Sequence, residues 1–191
     1  MTNPFLKKLV NGNIRFVSGT STMDISKARR DKLIYKQKPF AGIIGCVDSR
    51  VPPEIIFDAG IGELLVVRTA GAILDNAAIG SLVYGVAELK IPLLMVLGHR
   101  RCGAIKVAME VMDGSIKVDS EMKHIVKAVK PSIEKAKNIN GDFWNNATKM
   151  HIQSVREQLA QVPVLSNARQ NGILEIVGGF YDLETGVVEI L

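Results

Sequence analysis

Two short apolar runs, each stopping at glycine and then delivering a cysteine or a histidine, constrain this 191-residue chain more than any other feature. One is Ile43-Ile44-Gly45, followed by Cys46; the other is Leu93-Leu94-Met95-Val96-Leu97-Gly98, followed by His99. Strands of a parallel sheet are buried on both faces and so read as continuous apolar runs. In such a sheet, ligands gather in the crevice beyond the carboxyl ends of the strands. A strand that ends in glycine and then presents polar side chains therefore marks a site. The expected fold is α/β: a single domain with a mostly parallel central sheet flanked by helices.

The rest of the chain supports this. Residues 3–18 predict an amphipathic helix with Phe5, Leu6, Leu9, Val10, Phe16 and Val17 as its apolar set and Gly12-Asn13 as a candidate break. A second helical stretch around residues 28–35 is expected to be stopped by Pro39, because the residue before proline avoids helical geometry. Strands are predicted at 41–45, 63–68 and 91–97, and helices from Pro52-Pro53-Glu54, at 75–88 with Asp75 as N-cap, and at 104–112. Two long helices follow at 119–138 and 143–161, the first expected to restart at Pro131. A hairpin closes the chain, its strands at 173–180 and 187–191 turning through Asp182–Gly186. No repeat or linker interrupts this pattern. Residues 1–38 form an N-terminal helical arm and 39–191 an α/β core within one domain.

Composition excludes several classes of function. Aromatics make up 5% of the chain, and the net charge of +5 is spread along it with only a mild cluster at 27–38. A nucleic-acid interface would show a concentrated basic stripe with interleaved aromatics, so no nucleic-acid partner is expected. The longest apolar run, Ile91–Leu97, falls far short of the ~20 residues a membrane helix needs, and no export signal follows Lys7-Lys8. The expectation is a cytoplasmic protein that keeps its thiols reduced, where metal binding is the better use of cysteine.

The chain has only two cysteines, Cys46 and Cys102, and both lie in the segments that follow the apolar runs. With His99 they make three ligands suited to a tetrahedral zinc site with one open position. His99-x-x-Cys102 sets two ligands about one turn apart, and Cys46 arrives from the neighbouring strand. A water in the fourth position would have its pKa drawn toward ~7. Cys46, Asp48 and Arg50 alternate, so on an extended segment they would share a face. The guanidinium of Arg50 would keep Asp48 ionised, leaving its carboxylate able to orient a nucleophile. Without Arg50, Asp48 would be free to swing onto the metal and close the site.

Cys46-x-Asp48-x-Arg50 followed by His99-x-x-Cys102 resembles the zinc signature of the β-class carbonic anhydrases. The likeness extends to Asn13–Thr20 (NIRFVSGT), Cys46–Glu54 (CVDSRVPPE), Val66–Gly71 (VVRTAG), Leu97–Ala104 (LGHRRCGA) and Tyr181–Gly186 (YDLETG). The resemblance implies one zinc ion per subunit, held by Cys46, His99 and Cys102. It implies reversible hydration of carbon dioxide to bicarbonate by zinc-bound hydroxide, oriented by the Asp48–Arg50 dyad, with the Gly103 amide meeting the substrate. It also implies a homodimer or homotetramer in which the N-terminal helix lies over a partner subunit. Where members regulated by bicarbonate usually carry tryptophan, this chain has Ile43, and Ala59 and Val83 replace residues common in bacterial relatives. Ile43 implies an open site with water on zinc, and Ala59 and Val83 imply a different pocket rim. Relatives with the same ligands hydrolyse carbonyl sulfide or carbon disulfide, and a non-catalytic zinc protein closed by Asp48 is a further alternative.

The remaining chemistry-bearing residues have blander readings. A disulfide or a Cys–His nucleophile pair would each leave one of the three ligand residues without a role. His124 and His151, on predicted helices without ligand spacing, are expected at the surface. Gly60-Ile61-Gly62 precedes a strand, which is the wrong order for a phosphate cradle. Arg68 is a candidate for an internal salt bridge that the sequence leaves open, and Arg100 and Arg101 either attract bicarbonate or face solvent.

Overall fold

Ile43 and Ile44 set the layering. They are adjacent in β1 (Ala41–Cys46), so they point to opposite faces of the sheet, and both are buried. Each face therefore carries a hydrophobic layer. The computed structural model describes residues 3–191, and among them a five-stranded sheet runs β2-β1-β3-β4-β5. Its strands are β1, β2 (Leu64–Thr69), β3 (Leu93–His99), β4 (Glu175–Tyr181) and β5 (Val188–Ile190). The first four pair in parallel and β5 pairs antiparallel with β4. Ile43, Leu93, Met95 and Leu97 pack under α1 (Pro4–Ser18) and the short α3 (Pro53–Ile56). Ile44, Leu94 and Val96 pack against α4 (Asn76–Ala87), α7 (Phe143–Gln161) and α8 (Pro163–Gln170). A third apolar cluster joins α5 (Gly103–Met112), α6 (Ser120–Ala136) and α7 at the carboxyl end of the sheet.

The strand order places the site. From β1 the chain moves to β2 on one side and then to β3 on the other, so β1 and β3 are neighbours at the point where the order reverses. Cys46 ends β1 and His99 ends β3, which puts both in the crevice where such sheets bind ligands.

Several local expectations need correction. Helix α1 is unbroken at Gly12-Asn13, because both residues are used for close packing. A Cβ on Gly12 would lie 1.9 Å from the Phe57 carbonyl oxygen. Buried Asn13 donates to the carbonyls of Ile56 and Gly186 and accepts from the Val188 amide. Helix α2 (Lys27–Leu33) ends six residues before Pro39, so the proline does not stop it. Helix α6 runs straight through Pro131 without restarting. Its buried face (Val126, Val129, Ser132, Ile133, Ala136) packs on both sides of the proline, and that packing outweighs one lost backbone bond. Helix α8 lies outside every expected element, although Pro163 at its first position is a start signal. Asp75 caps α4 as expected, accepting from the Ala78 amide at 2.7 Å.

Candidate metal centre

The site is made by the ends of two strands and the start of one helix. Cys46 and His99 are the last residues of β1 and β3, and Cys102 is the N-cap of α5. His99 was expected in the loop but is itself in the strand, paired with Tyr181. All three residues are buried, and their ligand atoms lie within 4.8 Å of one another. The two sulfurs are 3.9 Å apart, far too long for a disulfide. That separation suits a tetrahedral ion with metal–sulfur bonds of about 2.3 Å, which would set the sulfurs ~3.8 Å apart.

The histidine is prepared for the same purpose. Its Nδ1 lies 3.0 Å from the Arg100 carbonyl. A carbonyl can only accept, so the proton sits on Nδ1 and Nε2 keeps its lone pair. Nε2 is buried without a hydrogen-bond partner, which is a costly arrangement unless something binds there. The two thiols behave as one coupled unit. Cys46 ionises well below the usual thiol range because Cys102 donates to it, an effect that outweighs its burial, and His99 helps. Cys102 is pushed up because Cys46 already holds the negative charge and the site is dry. A cation would remove that conflict and let both ionise. The donor set therefore fits a thiolate-bound divalent metal.

Asp48 and Arg50 complete the wall. The guanidinium binds the carboxylate through both oxygens, Nε to Oδ1 at 2.9 Å and Nη2 to Oδ2 at 2.7 Å. The Arg50 amide also donates to Oδ1 at 3.0 Å. These bonds hold the Asp48 carboxyl at about 2, chiefly through the Arg50 side chain, while partial burial opposes them. The segment is not extended as expected. It turns at Ser49-Arg50, with the Val51 amide bonded to the Asp48 carbonyl, and the turn brings Arg50 back onto Asp48. Asp48 Oδ2 stands 3.8 Å from His99 Nε2, beside the ligand cluster but held toward Arg50.

Outside the cluster, Cys46, Val47, Asp48, Gly103, Ala104 and Met122 help to line an apolar cleft of about 270 Å³. Gly103 is the first residue of α5, where backbone amides have no partner within the helix.

Three supporting residues were not read as such from the sequence. Arg68 makes no salt bridge among the described residues. It donates instead to the carbonyls of Cys46 (2.9 Å) and Asp48 (2.6 Å) and so holds the β1 exit loop from β2. Trp144 Nε1 donates to the Cys102 carbonyl at 2.9 Å. His151 is buried rather than at the surface, whereas His124 is exposed. Its position was detectable, since Thr148, His151, Ile152, Val155 and Leu159 form one helical stripe and all are buried. Arg100 and Arg101 face neither solvent alone nor the cleft. Arg100 pairs with Asp182 and Glu184, and Arg101 with Glu184, which fastens the metal loop to the terminal hairpin.

Several known proteins resemble this chain over nearly its whole length. A family model described as "Carbonic anhydrase" matches residues 41–188. The carbonic anhydrase of Mycolicibacterium smegmatis is 39% identical over 96% of this chain and 90% of its own. Carbonic anhydrase 2 of Mycobacterium tuberculosis is 37% identical over 97% and 91%. Among solved structures, a Coccomyxa β-carbonic anhydrase superposes with a TM-score of 0.76 at 25% identity, covering 97% of this chain and 86% of that one. A tetrameric β-carbonic anhydrase of Sordaria macrospora shares the fold with a TM-score of 0.76 at 20% identity, over 99% of this chain and 98% of that one. The shared fold, the Cys-His-Cys cluster at its switch point and the 39% identity together place this chain in the β-class carbonic anhydrase family.

Proposed function

We propose that the chain catalyses the reversible hydration of carbon dioxide to bicarbonate, with one zinc ion held by Cys46, His99 and Cys102. The observation that carries this reading is the buried, unpartnered Nε2 of His99 facing two free thiols at the mouth of an apolar cleft. Zinc in such a site supplies Lewis acidity and brings the ionisation of a coordinated water near neutrality. The protein's own groups do the rest. The apolar cleft receives a small uncharged substrate and disfavours a charged product. Asp48, kept ionised by Arg50, accepts a hydrogen from the nucleophile and turns its lone pair toward the substrate carbon. The Gly103 amide, at the positive end of α5, donates to a substrate oxygen as negative charge develops there.

The arm, residues 1–38, supports a homodimeric unit able to pair further into a tetramer. Ile14, Val17, Ile25, Ile34 and Tyr35 are all exposed on it, and an apolar surface of that kind suits a second copy of the chain.

Stopped-flow hydration of carbon dioxide by zinc-quantified protein between about pH 6.5 and 9, bracketing the expected ionisation, tests the reading. Rapid turnover with one zinc per chain is expected. Full zinc without hydration anywhere in that range overturns it, and hydrogen sulfide release from carbonyl sulfide would then identify the alternative hydrolase. Cys102→Ser should lose zinc and activity together, and full metal occupancy in that variant refutes the ligand assignment.

A further inference from the structure

Trp144 is the chain's only tryptophan, and it stands behind the apolar cleft rather than in its wall. It is the second residue of α7 and packs, partly buried, against the apolar cluster that holds Cys102, Ile105 and Ala108. The start of α7 is itself pinned. Asp142 accepts the Asn145 amide at 2.7 Å, and the Asn146 side chain donates to the carbonyls of Ile139 and Asn140. A buried indole N–H needs an acceptor, and any carbonyl within reach would satisfy it. The one it meets, at 2.9 Å, is that of Cys102.

That carbonyl belongs to a peptide with a second use. The Cys102–Gly103 unit is trans, so its C=O and N–H lie in one plane and point in opposite directions. Holding the carbonyl therefore aims the Gly103 amide. The unit sits where the metal loop enters α5: Cys102 is still extended (φ −61°, ψ 120°), and no side chain caps the helix there. Rotation about the bonds on either side would rock the peptide if its carbonyl were loose. From within α5 the carbonyl receives the Lys106 amide at 3.1 Å. Trp144 supplies the second donor and so occupies the remaining lone pair. On the opposite side, Gly103 borders the cleft beside Asp48, and a Cβ on it would meet no atom within 4 Å. Packing does not demand glycine at this position, and the space in front of the amide stays free for a substrate.

We propose that Trp144 is a positioning residue for carbon dioxide hydration, fixing through the Cys102 carbonyl the direction in which the Gly103 amide meets a substrate oxygen. The inference rests on the reading that this amide binds the substrate. Loss of a donor aimed at developing negative charge commonly lowers turnover about 100–1,000-fold. Trp144 only aims that donor, and the Lys106 amide still holds the carbonyl without it. A smaller loss, about 10-fold, is therefore expected for a slightly misdirected group.

A single tryptophan makes a very small change possible. Expression in a tryptophan auxotroph fed β-(3-benzothienyl)alanine replaces the indole N–H by sulfur at Trp144 alone. Feeding 5-fluorotryptophan in the same way keeps the N–H. The full-length, zinc-loaded proteins are compared by stopped-flow kcat/KM and by NMR. Cys102–Gly103 is the only Cys–Gly pair in the chain, so carbonyl carbon-13 cysteine with nitrogen-15 glycine marks this peptide and no other. The benzothienyl protein should lose about 10-fold in kcat/KM, move the Cys102 carbonyl signal and weaken the shift that bicarbonate induces at the Gly103 amide. The fluorinated protein should match wild type in all three. Wild-type kcat/KM in the benzothienyl protein overturns the proposal, as does an equal loss in the fluorinated one, which would trace the effect to ring packing. A lower melting temperature with the bicarbonate response intact also overturns it and leaves Trp144 a structural residue. Should the benzothienyl protein fail to fold, Trp144→Phe is read by the same measurements against the same outcomes. A wild-type Gly103 amide that ignores bicarbonate would refute the substrate contact itself and the proposal with it, a failure separate from that of the tryptophan bond.

Discussion

Asp48 and Asp58 are two carboxylates held ionised for different ends. Asp48 is gripped by Arg50 at the edge of the cleft. Arg50 is exposed and contributes little to folding, so Arg50→Ala should leave zinc content and thermal stability unchanged. Carbon dioxide hydration should nevertheless fall about 100-fold or more, the usual scale for a lost proton-transfer partner. Turnover at the wild-type rate in a zinc-replete variant would remove the dyad from the mechanism. Asp58 is structural. Its side chain is fully buried, and it receives Arg15 from α1, the Ser21 and Thr22 hydroxyls and the Thr22 amide. Burial alone would raise its pKa, but these bonds more than reverse that and hold it well below the usual carboxylate range. The folded pKa thus lies below the unfolded value of about 3.9. Its stabilising contribution is complete above that value and disappears as pH falls through the folded pKa. Asp58→Asn should cost about 1–3 kcal/mol in urea unfolding at pH 7, with the difference from wild type shrinking below about pH 4. A constant difference down to pH 2 would contradict this. At this scale the sequence was informative where chemistry and spacing coincide. Cys46, Asp48, Arg50, His99 and Cys102 are legible because few other roles use those types at those intervals. Arg68 and Asp58 are not, because an arginine bonded to carbonyls and a carboxylate capping a loop leave no local pattern.

Helices and turns show the same division. The alternation of apolar runs and amphipathic stretches placed every strand within two residues and exposed the parallel order. What it could not show was the use of small residues as contact surfaces. Gly12 read as a helix breaker, yet α1 needs it to lie against the Phe57 carbonyl. Gly12→Val should therefore push α1 off α3 and destabilise the fold by about 1–3 kcal/mol, the range for overpacking a tight contact. A helix-propensity view predicts the opposite sign, since glycine is the poorer helix former, so an increase in the urea midpoint would favour that view. Pro131 misled for a related reason. A local rule against proline inside helices gave way to the apolar contacts that α6 makes on either side of it. His151 was legible in principle, but only by weighing its stripe on α7 above the polarity of its type.

For the molecule as a whole, the sheet supplies a frame and leaves half-buried apolar side chains along one edge. Strand β2 is an edge strand whose apolar Leu64–Val67 are only half buried, and the arm carries exposed isoleucines nearby in sequence to basic residues 27–38. A second copy covering this surface would explain both. Ile14→Lys combined with Ile34→Lys should convert the proposed homo-oligomer to monomers in sedimentation equilibrium while leaving circular dichroism unchanged. An unaltered mass would assign the interface elsewhere. The resemblance implied an N-terminal helix lying over a partner, but not which of its residues face that partner, because an apolar position on a helix looks the same whether its own core or a neighbour covers it.

Asn13 joins residues that are synthesised far apart in time. Its bonds to Gly186 and Val188 bridge 173 and 175 positions, and strand β4, which flanks β3, is also made late. On the ribosome, Cys46, His99 and Cys102 emerge long before Arg100 has Asp182 and Glu184 to hold it. The three ligands therefore spend many seconds, at about 5–20 residues synthesised per second, on a nascent chain whose metal loop is not yet clamped. Metal acquisition is then expected to follow synthesis of the hairpin that holds Arg100 rather than precede it, a sequence of events that zinc capture by stalled nascent chains ending before and after Gly186 would reveal.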